Sequence, residues 1–111
     1  MAETSESLSF LTALADLATR LAVEGVTIES VTYHTHAFGS WELEAGRRRA
    51  RVRVSWAGKD RQLRVATAEL ASGSKERHWE FAEEHDFRGR RTDPVQLLGT
   101  VHAAITAHAG R

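Results

Sequence analysis

The spacing of hydrophobic residues changes along the chain, and each spacing predicts an element. In SESLSFLTALADLATRLAVEG, Ser5 to Gly25, apolar residues recur at helical intervals. Leu8, Leu11, Ala15, Ala18 and Ala22 fall on one stripe, and Phe10, Leu14, Leu17 and Leu21 widen it. Thr4, Ser5 or Ser7 is expected to cap the start, since a short side-chain oxygen there accepts from a free backbone N–H. Gly25 stands where a left-handed residue ends a helix. The apolar face is wider than a lone surface helix requires, so the helix should lie against a sheet or a partner.

From Trp41 the period becomes two. WELEAGRRRARVRVSWAGKDRQLRVATAEL alternates apolar and polar residues through successive strands. With Gly46-Arg47 and Gly58-Lys59 as two-residue turns, the pairing follows by counting. Trp41 then faces Val52 and Leu43 faces Ala50, while Glu42 faces Arg51 and Glu44 faces Arg49. Across the next turn Val54 faces Leu63, Val52 faces Val65 and Arg53 faces Arg64. Apolar residues meet on one face and charged residues on the other, and a one-residue slip would destroy that match.

A further strand is expected in RHWEFAE, with Trp79 and Phe81 inward and His78 and Glu80 outward, after a hairpin loop in ASGSK. A strand in VTIESVTYHTHAF precedes them all. Val26 and Ile28 take one parity and Val31 and Tyr33 the other, which calls for a bulge between Glu29 and Val31. The chain closes on a helix, TDPVQLLGTVHAAITAHAG, with Asp93 as N-cap, Pro94 at the first helical position and Gly110 as the stop. Leu98, Val101 and Ile105, helped by Leu97, form its buried line. Gly99 inside it would allow close packing. The expected fold is α+β: a two-layer sandwich in the order α-β-β-β-β-α, an antiparallel four-stranded meander covered on one face by the N- and C-terminal helices.

Composition narrows the class. The 111 residues suit a single domain, with no repeat or linker, and at 41% hydrophobic they can fill a core. The absence of cysteine excludes disulfides, thiolate metal sites and cysteine nucleophiles. MAETSESLSF lacks the basic segment and apolar run of a signal peptide, so the expectation is a soluble, cytoplasmic protein without a membrane anchor. Fifteen basic and fifteen acidic residues cancel, so net charge points to neither nucleic acid nor membrane.

Four features could carry chemistry. In YHTHAFGSW, His34 and His36 lie at a spacing that puts two imidazoles on one side of a strand, as a metal site needs. A Phe38-Gly39 two-residue turn would set His36 against Trp41 and His34 against Leu43, on the covered side and away from Glu42, Glu44 and His78; a longer loop would turn them outward. Arg49, Arg51, Arg53 and Arg64 fall on the outward face, where they could hold an anionic partner or nucleic acid, although Glu42, Glu44 and Glu80 share that side. In EEHDFRGRRTDP, Arg88, Arg90 and Arg91 precede a helix start, where an anion could bind, with Phe87 as an anchor; His85 and Asp86, being adjacent, would not face one another. Trp41, Trp56 and Trp79 are all expected inward, leaving no outward aromatic platform, and Trp79→Ala should then cost about 3–5 kcal/mol.

No P-loop, nucleophile elbow, dinucleotide fingerprint or H-E-x-x-H occurs. The function expected is a non-catalytic binding or interaction module, working without a cofactor and pairing with a protein or a second copy of itself through its first helix or an edge strand. The alternatives are nucleic-acid or anionic-partner binding through the arginine face, and a metal-dependent enzyme or sensor built on His34 and His36.

Overall fold

Helix α1 spans Ala2–Val23, and Phe10, Leu17 and Leu21 form its buried line. Ala13 and Leu14 pack at the margin of that line, whereas Leu11, Ala15 and Ala22 are exposed. The larger phenylalanine and leucine side chains remove more apolar area from water than alanines do, and that sets which half of the wide face turns inward. Thr4, Ser5 and Ser7 fall within the helix, which begins at Ala2. At the other end Gly25 has φ 81°, and the N–H groups of Gly25 and Val26 donate to the carbonyls of Ala22 and Leu21 at 3.1 and 2.9 Å. This is a Schellman stop, with Val26 and Leu21 both buried beside it.

The structure, a computed structural model, describes residues 2–34, 39–70, 78–89 and 94–109. After α1 come β1 (Thr27–His34), β2 (Ser40–Arg47), β3 (Ala50–Ala57), β4 (Gln62–Glu69), β5 (Glu80–Asp86) and α2 (Pro94–Ala109). The strands form one antiparallel sheet in the order β1-β2-β3-β4-β5. Among the described residues there are five strands, not four: the two hairpins from Trp41 supply three, and one strand precedes and one follows them. Helix α2 lies on β3 and β2, and α1 packs on α2 and on β1. The two-layer α+β arrangement with both helices on one face is as expected.

The hairpin registers differ from the counted ones by even steps. The β2–β3 turn is Arg48-Arg49, with Arg48 at φ 55°, so Trp41 pairs with Trp56, Leu43 with Val54, Ala45 with Val52 and Glu44 with Arg53. Gly46 stays in the strand because the Arg51 side chain lies across it; a Cβ there would come within 2.6 Å of the arginine. Between β3 and β4 the loop is residues 58–61, with Arg61 at φ 52°. Arg61 accepts the Phe87 N–H at 2.8 Å, and Gly58 donates to Ser40 Oγ at 2.9 Å. Val54 now pairs with Val65, Trp56 with Leu63, and Arg53 with Ala66, so Arg53 and Arg64 do not face one another. An even displacement keeps every side chain on its side of the sheet, and the segregation of apolar from charged residues survives.

Odd displacements occur at the two edge strands. In β1 the register shifts between Ile28 and Ser30, leaving Glu29 as the extra residue; Ile28, Val31 and Tyr33 then share the covered side opposite Ala45, Leu43 and Trp41. That is the bulge the alternation demanded. In β5, Val65 pairs with Glu83 but Ala66 pairs with Phe81, so Ala82 is the extra residue. The shift turns Phe81 out, to 70% exposure, and with it Trp79, whose expected inward placement is overturned. Two tryptophans, Trp41 and Trp56, remain in the core. Phe10 stacks on Tyr33 with centroids 4.8 Å apart and lies 5.5 Å from Trp41, and Phe87 meets Trp56 edge-on at 5.8 Å, as its anchoring role requires.

In α2, Leu97, Leu98, Val101, Ala104 and Ile105 are buried, and Pro94 takes the first position. Asp93, Gly110 and the ASGSK loop lie outside the described residues. Gly99 does not serve close packing: it is exposed, and a Cβ there would meet nothing within 4 Å. Among the described residues no helix is long and apolar enough to cross a membrane.

Two stability predictions follow from this packing. Trp41, only 3% exposed, should cost about 3–5 kcal/mol on truncation to alanine, whereas Trp79→Ala should cost about 1 kcal/mol or less; denaturant melts of the two variants check the ranking. Gly99→Ala should stabilise the fold by about 0.5–1 kcal/mol, read as a higher melting midpoint, because it improves helix propensity without a clash.

Candidate functional site

The helices leave one face of the sheet uncovered, and that face collects the charged and aromatic side chains. Arg53 sits near its middle. Its Nε and Nη2 donate to Glu44 Oε1 at 3.0 and 2.7 Å, and Glu42 Oε1 lies 3.5 Å from Nε. The guanidinium carbon lies 4.1 Å from the centroid of the Trp79 ring, a cation–π contact that fixes the indole on the sheet. Phe81, two residues further along, follows Trp79 onto this face through the β5 bulge.

The other arginines are held by neighbouring groups. Arg51 is only 12% exposed along its side chain; its Nη1 donates to the carbonyls of Arg48 and Ala50 at 2.7 and 2.9 Å, and its Nε is 2.7 Å from Glu29 Oε1. The β1 bulge residue thus supplies the carboxylate that neutralises Arg51. Arg64 is 3.3 Å from Glu84 but 65% exposed, so water screens that pair. Arg49 stands apart from these three: it lies in the β2–β3 turn and borders a groove on the helix side with His78, Glu80 and His108. His78 and Glu80, expected outward, are therefore on the covered side, again because of the β5 bulge.

His34 pairs with Ser40, a register three residues away from the one a Phe38-Gly39 turn would give. The odd change in register turns His34 outward, correcting its expected covered position. It borders a shallow depression of about 340 Å³ with Glu42, Ser55, Gln62 and Arg64. His36 lies outside the described residues. Among the described residues no group of three or more histidine, aspartate or glutamate side chains is placed to hold a metal ion.

The anion site considered at the start of α2 does not assemble around Arg88. Its Nε and Nη2 donate to Asp86 Oδ2 at 3.0 and 2.7 Å, and its backbone N–H donates to Asp86 Oδ1 at 2.9 Å. Asp86 accordingly holds the guanidinium more firmly protonated than usual. Arg90 and Arg91 lie outside the described residues.

Sequence reasoning missed a carboxylate shared by two histidines. Glu83, on the covered side of β5, lies 2.6 Å from His108 Nε2 in the last turn of α2 and 3.0 Å from His85 Nε2. A similar pair, His102 and Glu24 at 2.8 Å, joins α2 to the end of α1. The Glu83–His85 spacing is legible in the chain, but the meeting with His108 spans 25 residues and depends on where α2 lands. The hydrogen bond from His108, aided by His85, holds the Glu83 carboxyl below its ordinary value of 4.5, against a smaller opposing effect of burial.

A depressed carboxylate pKa stabilises the fold above the ordinary value and loses that contribution as pH falls through the lowered one. With the Glu83 side chain 33% exposed, solvent keeps the effect small, so Glu83→Gln should cost about 0.5–1 kcal/mol at pH 6. Denaturant melts at falling pH should show wild type and variant converge below the ordinary glutamate range. No family model, curated protein or solved structure matches this chain, so its functional reading rests on the geometry of its own residues.

Proposed function

We propose that the chain is a non-catalytic binding module that meets a protein partner through the uncovered face of its sheet. The observation that carries this reading is Phe81, 70% exposed beside an indole held by a guanidinium. Aromatic residues and arginine are the side chains most enriched at energetic centres of protein interfaces. Around them the charges are largely neutralised within the face, by Arg53 with Glu44, Arg51 with Glu29, and Arg64 with Glu84. A surface of paired charges around an aromatic centre suits a protein partner better than a polyanion, which requires uncompensated positive charge. The absence of cysteine fits work in a reducing compartment such as the cytoplasm.

A second reading, nucleic-acid or anionic-partner binding, gains support from Trp79 and Phe81 lying on the same side as Arg53 and Arg64, since base stacking needs such platforms. The carboxylates beside these arginines weigh against it.

Affinity capture from native extract with wild type and Phe81→Ser tests the first reading. Proteins retained by wild type should be lost with the folded variant; equal retention by both would remove this face as the docking surface. Light scattering over a concentration series shows whether the partner is a second copy. Titration with labelled single-stranded RNA and DNA at low salt separates the two readings: steeply salt-dependent binding supports the second, and no binding ends it.

A further inference from the structure

Among the described residues, the two non-glycine residues at positive φ are both arginines, and they are used differently. Arg61 turns its side chain back on the molecule: its Nε donates to the Phe87 carbonyl at 3.3 Å, and its guanidinium lies 6.0 Å from the centroid of the Trp56 ring. Arg48, in the β2–β3 turn, has φ 55°, a backbone that glycine or asparagine takes at lower cost. Its side chain is exposed and has no hydrogen-bond or ion-pair partner among the described residues, and the same holds for Arg49 beside it. The turn itself is held from behind. Arg51 Nη1 donates to the Arg48 carbonyl at 2.7 Å, and Glu29, 2.7 Å from Arg51 Nε, neutralises that arginine. The tip is thus a fixed turn that presents two guanidinium groups without internal partners.

We propose that this tip receives a short acidic segment of the protein partner, with two carboxylates meeting Arg48 and Arg49 at the rim of the Phe81 contact. Phe81 lies in the row of Ala66 and Arg53, about 16 Å from the turn by strand geometry. A contact of about 800 Å² centred on Phe81 extends about as far. The placement at a rim rests on the protein-partner reading of the open face; the acidic character of the ligand does not. A rim charge of this kind acts on association rate and orientation more than on affinity. Magnitude decides against a nucleic acid. Salt-sensitive nucleic-acid binding commonly draws on about 6–10 phosphate contacts, and the tip offers two free guanidinium groups. Glu69 and Glu80, which border the same groove as Arg49 without pairing with it, would also repel an extended polyanion.

Amide NMR titration at low salt with a capped hexaglutamate peptide, against hexaglutamine as control, tests the tip. The Arg48 and Arg49 signals should shift saturably with hexaglutamate and stay in place with hexaglutamine. The double variant Arg48→Asn, Arg49→Gln should weaken binding about tenfold or more. Asparagine suits the left-handed turn, so the melting midpoint should not fall with that loss. Shifts absent from the tip, or an affinity that the double variant leaves unaltered, overturn the proposal. So does a single-stranded DNA oligonucleotide that binds more tightly than the peptide with a log–log salt slope steeper than about −1.4, the value for two contacts. Phe81→Ser separates the two readings: if it keeps every captured protein while hexaglutamate still binds at Arg48 and Arg49, the face reading fails and the acidic-ligand site stands.

Discussion

A sheet covered on one face must keep its alternation in phase across all its strands, and the rest of this molecule depends on that constraint. Leu43, Val52, Val54, Leu63 and Val65 are fully buried only because β2, β3 and β4 present the same parity to α2. One residue out of step would place a row of arginines and glutamates under the helices, and unpaired buried charge is among the most destabilising changes a fold can suffer. The central strands meet the constraint by turns of even displacement. The edge strands meet it, or locally abandon it, by bulges.

The two bulges act differently. At Glu29 the extra residue brings Ile28, Val31 and Tyr33 to the covered side, which lets Tyr33 stack on Phe10 and carries the core to the sheet edge. At Ala82 the extra residue divides β5 into two parts of opposite phase. Its C-terminal part sends Glu83 and His85 to the covered side, where Glu83 meets His108 of α2; its N-terminal part sends Phe81 outward. One inserted residue therefore both ties β5 to the last helix and creates the aromatic centre of the open face. Bulges on both outer strands also interrupt the regular ladder that would invite edge-to-edge association, which shifts attention from the edges to the faces.

Electrostatics follows from the same geometry. On the open face Arg51, Arg53 and Arg64 each have a carboxylate within 3.3 Å, so these arginines, which look like a basic patch in one dimension, are paired in three. On the helix side the polar links of α2 to α1 and β5 are histidine–carboxylate pairs, which join elements far apart in the chain. Both arrangements leave a molecule of zero formal charge without a strong field of either sign.

By itself the sequence determined the elements, their order and the face on which most side chains lie. Apolar periodicity marks both helices and the central strands, and parity survives any even error in a turn; Trp41 and Val54 stay inward whichever of the two registers holds. The broken alternation of the first strand even located its bulge. Tertiary structure decided the rest. RHWEFAE alternates cleanly and gives no sign of a bulge, so only pairing with β4 and the reach of Glu83 to His108 reveal that Trp79 and Phe81 point outward. The side of His34 likewise depends on a loop length that no local pattern encodes. Alternation is a local property of the chain, but its phase relative to the core is set by contacts between strands and helices, and at an edge strand those contacts come from one side only.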